Sequence, residues 1–109
     1  MPMDLAQFRK LVAIDESDAL SRFALGQALF QQGHSPETLN EAAEHLTFAN
    51  TKDPKHLATY HILGQVLIKL GREDAARTIL RAGVTKTAGV GVGMGHDLGP
   101  AMAKLLETL

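Results

Sequence analysis

The chain has no cysteine among its 109 residues, which excludes disulfides, thiolate metal ligation, a cysteine nucleophile and thiol redox chemistry together. Tryptophan is also absent, and one Tyr with four Phe is poor material for stacking on nucleic-acid bases. No excess of one charge exists either: 11 Lys+Arg stand against 12 Asp+Glu, a formal net charge of −1. Nothing global therefore pulls the molecule toward nucleic acid or an anionic membrane. Five histidines alter that balance only in acid, carrying the sum to +4 if all are protonated. Nowhere do about 18 apolar residues run together, as a membrane span requires. The start, Met1-Pro2-Met3-Asp4, has no basic stretch, and Arg9 and Lys10 interrupt the apolar residues that follow. The expectation is a cytoplasmic protein. With 45% hydrophobic and 21% charged residues, the chain has enough apolar material for one core and is not of the disordered class.

What is present is helical periodicity. Ala19, Leu20, Phe23, Ala24, Ala28 and Leu29 recur at three- and four-residue intervals, with Asp18 placed as an N-cap and Gly33 as the stop. A second helix runs from Pro36 to about Asn50, with Ser35 as N-cap and Glu37 in the first turn. Asp53-Pro54 closes the connection, since the residue before proline avoids helical geometry. Further helices are predicted over about Lys55 to Leu70, stopping at Gly71, and from Glu73 to about Ala88. Upstream, Leu5, Phe8, Leu11 and Val12 mark a shorter one ending at Ile14-Asp15. No segment alternates with a period of two, so the fold class is all-α. Half of the ten glycines fall between Gly89 and Gly99. Each glycine costs a helix about 1 kcal/mol relative to alanine, which predicts a hinge at 89–97. Asp97 is placed to cap a last helix, 98–109, with Met102, Leu105, Leu106 and Leu109 as its apolar stripe.

The chain repeats itself. Arg22-x-x-Leu25-Gly26-x-x-Leu29 lies over Tyr60-x-x-Leu63-Gly64-x-x-Leu67, an offset of 38. Ala42-x-x-x-Leu46 lies over Ala76-x-x-x-Leu80, an offset of 34. The difference of four reads as an insertion in the turn between Gly33 and Asn40. Gly33 lies over Gly71, seven residues after each glycine of the Leu-Gly pair. Gly26 and Gly64 are expected to face the partner helix, with Ala42 and Ala76 giving the same close approach from the other side.

This pattern resembles the tetratricopeptide repeat, a 34-residue helix–turn–helix unit with a W-x₂-L-G-x₂-Y…A-x₃-F…P signature. The Leu-Gly pair, the following leucine, the small residue Ala42 or Ala76 and Asp53-Pro54 fall in place. Arg22 and Tyr60 stand where the family has tryptophan, and Glu16 stands where a preceding repeat would have proline. The resemblance implies a short right-handed α-solenoid of about two and a half repeats: a half repeat at 3–17, repeats at 18–54 and 55–88, and a capping helix at 98–109. One hairpin cannot bury its apolar face alone, and stacking buries it.

Chemistry has little foothold. His56 and His61 diverge by about 140° around a helix, His45 lies on another helix, and His34 and His96 lie in turns, so no metal site is expected. Glu37, Glu41 and Glu44 read as a solvated acidic face, and Glu73-Asp74 as first-turn acids. The run from Gly89 to Gly95 lacks the strand, the Gly-Lys-Ser/Thr ending and the βαβ frame that phosphate cradling needs. No catalytic residue and no cofactor are expected.

A surface remains. In the family the first helix of each repeat lines a concave groove that receives partner segments. Carried over by position, the resemblance implies Phe23, Gln27, Phe30 and Gln31 from the first repeat, then His61, Gln65, Ile68 and Lys69 from the second. Apolar groups among amides suit a docking helix or extended segment. The competing reading buries Phe23 and Phe30 against the N-terminal helix. Relatives that clamp a C-terminal carboxylate do so with basic and Asn residues, whereas here Phe23, Gln27 and Ile62 hold those positions and only Lys69 is cationic. A carboxylate would have no two-point grip. The expected partner is another protein or peptide, with no nucleic acid and no membrane. The alternatives are a self-associating homodimer and a piece of a longer repeat scaffold.

Overall fold

A computed structural model describes residues 4–88 and 97–109. Among them there are six helices and no strand: α1 (Leu5–Ile14), α2 (Ala19–Gln32), α3 (Pro36–Lys52), α4 (Leu57–Lys69), α5 (Glu73–Thr87) and α6 (Leu98–Glu107). The chain falls into two compact units, Met1–Pro54 and Lys55–Leu109. The glycine-rich hinge expected at 89–97 lies outside the described residues except for Asp97.

Local signals set most helix ends. Asp4 begins α1 with a capping box, accepting from the Gln7 amide at 3.0 Å while the Gln7 side chain accepts from the Asp4 amide at 2.8 Å. Asp18 caps α2 by accepting from the Ser21 amide, and Ser35 caps α3 by accepting from the Thr38 amide, with Pro36 in the first turn. The two glycine stops differ in kind. Gly71 has a φ of +77°, and its amide donates to the Ile68 carbonyl while the Arg72 amide donates to that of Leu67 at 2.9 Å. That pair of bonds is the Schellman ending, which requires the left-handed region that glycine enters without penalty. Gly33 ends α2 in extended backbone instead. Asp97 occupies the N-cap position of α6, yet its side chain makes no capping bond there.

The four-residue difference between the repeats is not in the turn. Gly33–Ser35 and Leu70–Arg72 are equally short connections. The extra residues instead lengthen helices, mainly by adding residues to α3 ahead of Ala42, because Ser35-Pro36-Glu37 starts that helix early. The added residues, 36–38, precede Leu39, which lies over Glu73 and is buried.

In the first unit α2 packs on α3, and α1 packs on α2. Leu25, Leu29, Leu39, Ala42, Leu46 and Ala49 are buried there. In the second unit α4 packs on α5, and α6 packs on both. Leu63, Val66, Leu67, Ala76 and Leu80 are buried, and Tyr60, Leu80 and Met102 form a cluster joined by Leu98, Leu105, Leu106 and Leu109.

Small residues permit the close helix approach. A Cβ on Gly26 would lie 2.7 Å from Leu46 Cγ, and one on Gly64 would lie 2.7 Å from Leu80 Cγ. Ala42 and Ala76 are fully buried from the other side. A third such contact seats α6, since a Cβ on Gly83 would lie 2.8 Å from Tyr60 Cβ and against Met102 Sδ.

Candidate functional site

The groove set divides between the two units, and each half lies on the first helix of its hairpin. On α2, Phe23, Gln27, Phe30 and Gln31 share one side at spacings of four, seven and eight residues. Leu25, Gly26, Ala28 and Leu29, the buried residues of that helix, lie roughly opposite. Phe23, Gln27 and Phe30 are half-buried and Gln31 is exposed. The Phe30 ring stacks on His34, with centroids 4.9 Å apart and planes 25° apart. His34 Nε2–H donates to the Phe30 carbonyl at 3.0 Å. The end of α2 thus presents a paired aromatic edge. α1 packs on α2.

On α4, His61, Gln65, Ile68 and Lys69 occupy the same four positions, 38 residues on. The first three are half-buried and Lys69 is exposed. Gln65 Nε2 donates to the His61 carbonyl at 3.4 Å, one turn back. Burial pushes the His61 imidazole below its ordinary pKa, so its neutral form predominates near pH 7. Ile68 also packs against the Tyr60–Leu80–Met102 cluster, a core duty that its place in the repeat did not reveal.

Polar chemistry is concentrated instead in the first unit, behind α1. Arg9 of α1 grips Glu41 of α3 with both guanidinium nitrogens, the second bond being 3.1 Å long. That grip holds the Glu41 carboxyl below the usual range and raises Arg9. Glu41 therefore does not belong to a solvated acidic face with Glu37 and Glu44, because the docking of α1 brings a cation to it. His45, one turn along α3, lies 3.3 Å from Glu41 through Nε2 and 3.2 Å from Arg22 through Nδ1. Arg22 also donates to the Glu16 carbonyl at 2.9 Å and lies over the Phe48 ring at 4.4 Å from its centroid. A flat guanidinium thus stacks on an aromatic ring at a position the family fills with tryptophan. An open cleft of about 270 Å³ lies beside this network, lined by Arg9, Val12, Ala13, Glu16, Leu25, Glu41 and His45. The one hint in the sequence was Glu41 and His45 at helical i,i+4 spacing. Arg9 and Arg22 join them only through tertiary packing.

Among the described residues no three His, Asp or Glu side chains converge as metal ligands, and no helix is long and apolar enough to cross a membrane. His56 is engaged locally, its Nδ1 lying 2.7 Å from Thr59 Oγ1.

None of the curated proteins matches the chain. Residues 35–89, from the N-cap of α3 to just past α5, match the family described as Tetratricopeptide repeat. The match covers half the chain and agrees with its helix–turn–helix repeats. The chain belongs to the tetratricopeptide repeat family.

Proposed function

We propose that this protein is a non-catalytic interaction module that binds a segment of another protein through Phe23, Gln27, Phe30 and Gln31 of α2 and His61, Gln65, Ile68 and Lys69 of α4. Tetratricopeptide repeats generally mediate protein–protein interaction, and the family is a non-catalytic repeat module. The observation that carries the reading is the recurrence of the same four positions in both hairpins, none of them among the fully buried residues of its helix, although Ile68 also packs against the core. A half-buried aromatic among amides provides an anchor with adjustable hydrogen bonding. The near-neutral charge supports a protein partner over nucleic acid or membrane, and the reading places the protein in the cytoplasm.

The test uses a peptide selected for binding from a displayed library. Phe30→Ala and Gln65→Arg should each weaken it about tenfold or more, as loss of an anchor contact does, while far-ultraviolet circular dichroism stays unchanged. Gln65 is preferred to Ile68 because Ile68 also supports the core. Full binding by both variants overturns the assignment.

A second reading, self-association, is favoured by Leu11, Ile14 and Leu20, which are 39%, 81% and 64% exposed on α1 and the start of α2. It predicts a doubled mass in light scattering that Ile14→Glu with Leu20→Glu returns to 11.7 kDa. The interaction-module reading predicts 11.7 kDa from the start.

A further inference from the structure

The contacts of His45 define its protonation state by elimination. A guanidinium carries only donors, so the 3.2 Å contact between the Arg22 terminal nitrogen and His45 Nδ1 is a hydrogen bond only if Nδ1 accepts. A carboxylate only accepts, so the 3.3 Å contact between His45 Nε2 and Glu41 requires Nε2 to carry the proton. Both contacts hold together in one form, the neutral Nε2–H tautomer. We propose that His45 is a proton-operated latch: neutral, it accepts from Arg22 and donates to Glu41, and a second proton on Nδ1 removes the acceptor and frees Arg22 Nη1 from His45.

The groups facing the ring come from every element packed on it. Arg9 of α1 binds Glu41 from the far side, Glu16 lines the same cleft from the α1–α2 turn, Arg22 approaches from α2, and Glu41 lies on α3 itself. A second proton strengthens the contact to Glu41 and sets a cation against Arg22. Glu41 is already gripped by Arg9, so the second proton yields less on that side than it removes on the other. Arg22 also donates through Nε to the Glu16 carbonyl and lies over Phe48, so the latch governs one of the three contacts through which Arg22 joins α2 to the α1–α2 turn and α3. The side chain of His45 is only 14% exposed, which places the event inside the unit. The latch is independent of the α2 and α4 surfaces.

The experiment is nitrogen-15 NMR on the full chain at about pH 8 and about pH 5, the interval in which histidine titrates. At the higher pH the His45 shifts should report Nε2–H with bare Nδ1. The Arg22 Nη hydrogens should exchange more slowly than those of exposed Arg81. At the lower pH that protection ratio should fall about fivefold, as loss of one hydrogen bond implies. In His45→Asn, where Oδ1 stands near the place of Nδ1 and accepts at either pH, the ratio should stay constant. A neutral Nδ1–H tautomer overturns the proposal. So does a ring that stays neutral to pH 5, or an Arg22 ratio that ignores His45 titration. Should His45→Asn fail to fold, the tautomer and titration of the native chain still decide.

Discussion

A methyl group added at Gly64 would lie 2.7 Å from Leu80 Cγ, and Leu80 is itself fully buried, so neither partner has room to yield. Overpacking of this kind costs about 1–3 kcal/mol, against the roughly 1 kcal/mol that alanine's helix propensity returns. Gly64→Ala should therefore lower the urea midpoint. Gly33→Ala, where a Cβ meets nothing within 4 Å and the backbone is extended, should leave it within about 0.5 kcal/mol. Equal midpoints for the two variants would contradict the close-approach account. These glycines were legible in the sequence because the repeat placed each one opposite an alanine-led stripe. The partners of Glu41 were not. A carboxylate on a helix face looks solvated until tertiary structure brings Arg9 across, and sequence spacing holds no record of that approach.

At the scale of the helix, endings that depend on one or two neighbouring residues were readable: Asp18, Ser35-Pro36 and Gly71 act through hydrogen bonds within a turn of themselves. Asp97 was not, since a capping residue must also adopt the extended conformation, and here its backbone is already helical. The four-residue insertion was also assigned to the wrong feature. A repeat comparison locates extra residues between two anchors, but whether they become turn or helix depends on where the helix starts, and the Ser35 cap with Pro36 in the first turn starts α3 ahead of Leu39. The last helix is held largely by Met102, fully buried on Gly83 and Tyr60. Met102→Ala should cost about 2–5 kcal/mol through lost burial and the space left behind. Removal of residues 97–109 should lower thermal stability further by uncovering Tyr60 and Leu80. An unchanged melting temperature for both would show that α6 does not cap the second hairpin.

For the molecule as a whole, family and fold rest on residues whose chemistry is packing. The proposed interaction surface was legible only as positions in a repeat. His61 burial, the Phe30–His34 stack and the core role of Ile68 all depend on neighbours that periodicity does not name. The most direct test of the central claim is the footprint of a library-selected peptide, read by amide chemical-shift changes along the full chain. The account predicts changes concentrated at Phe23, Gln27, Phe30 and Gln31 on α2 and at His61, Gln65, Ile68 and Lys69 on α4. A footprint confined to α3 and α5, with both of those faces silent, would contradict it.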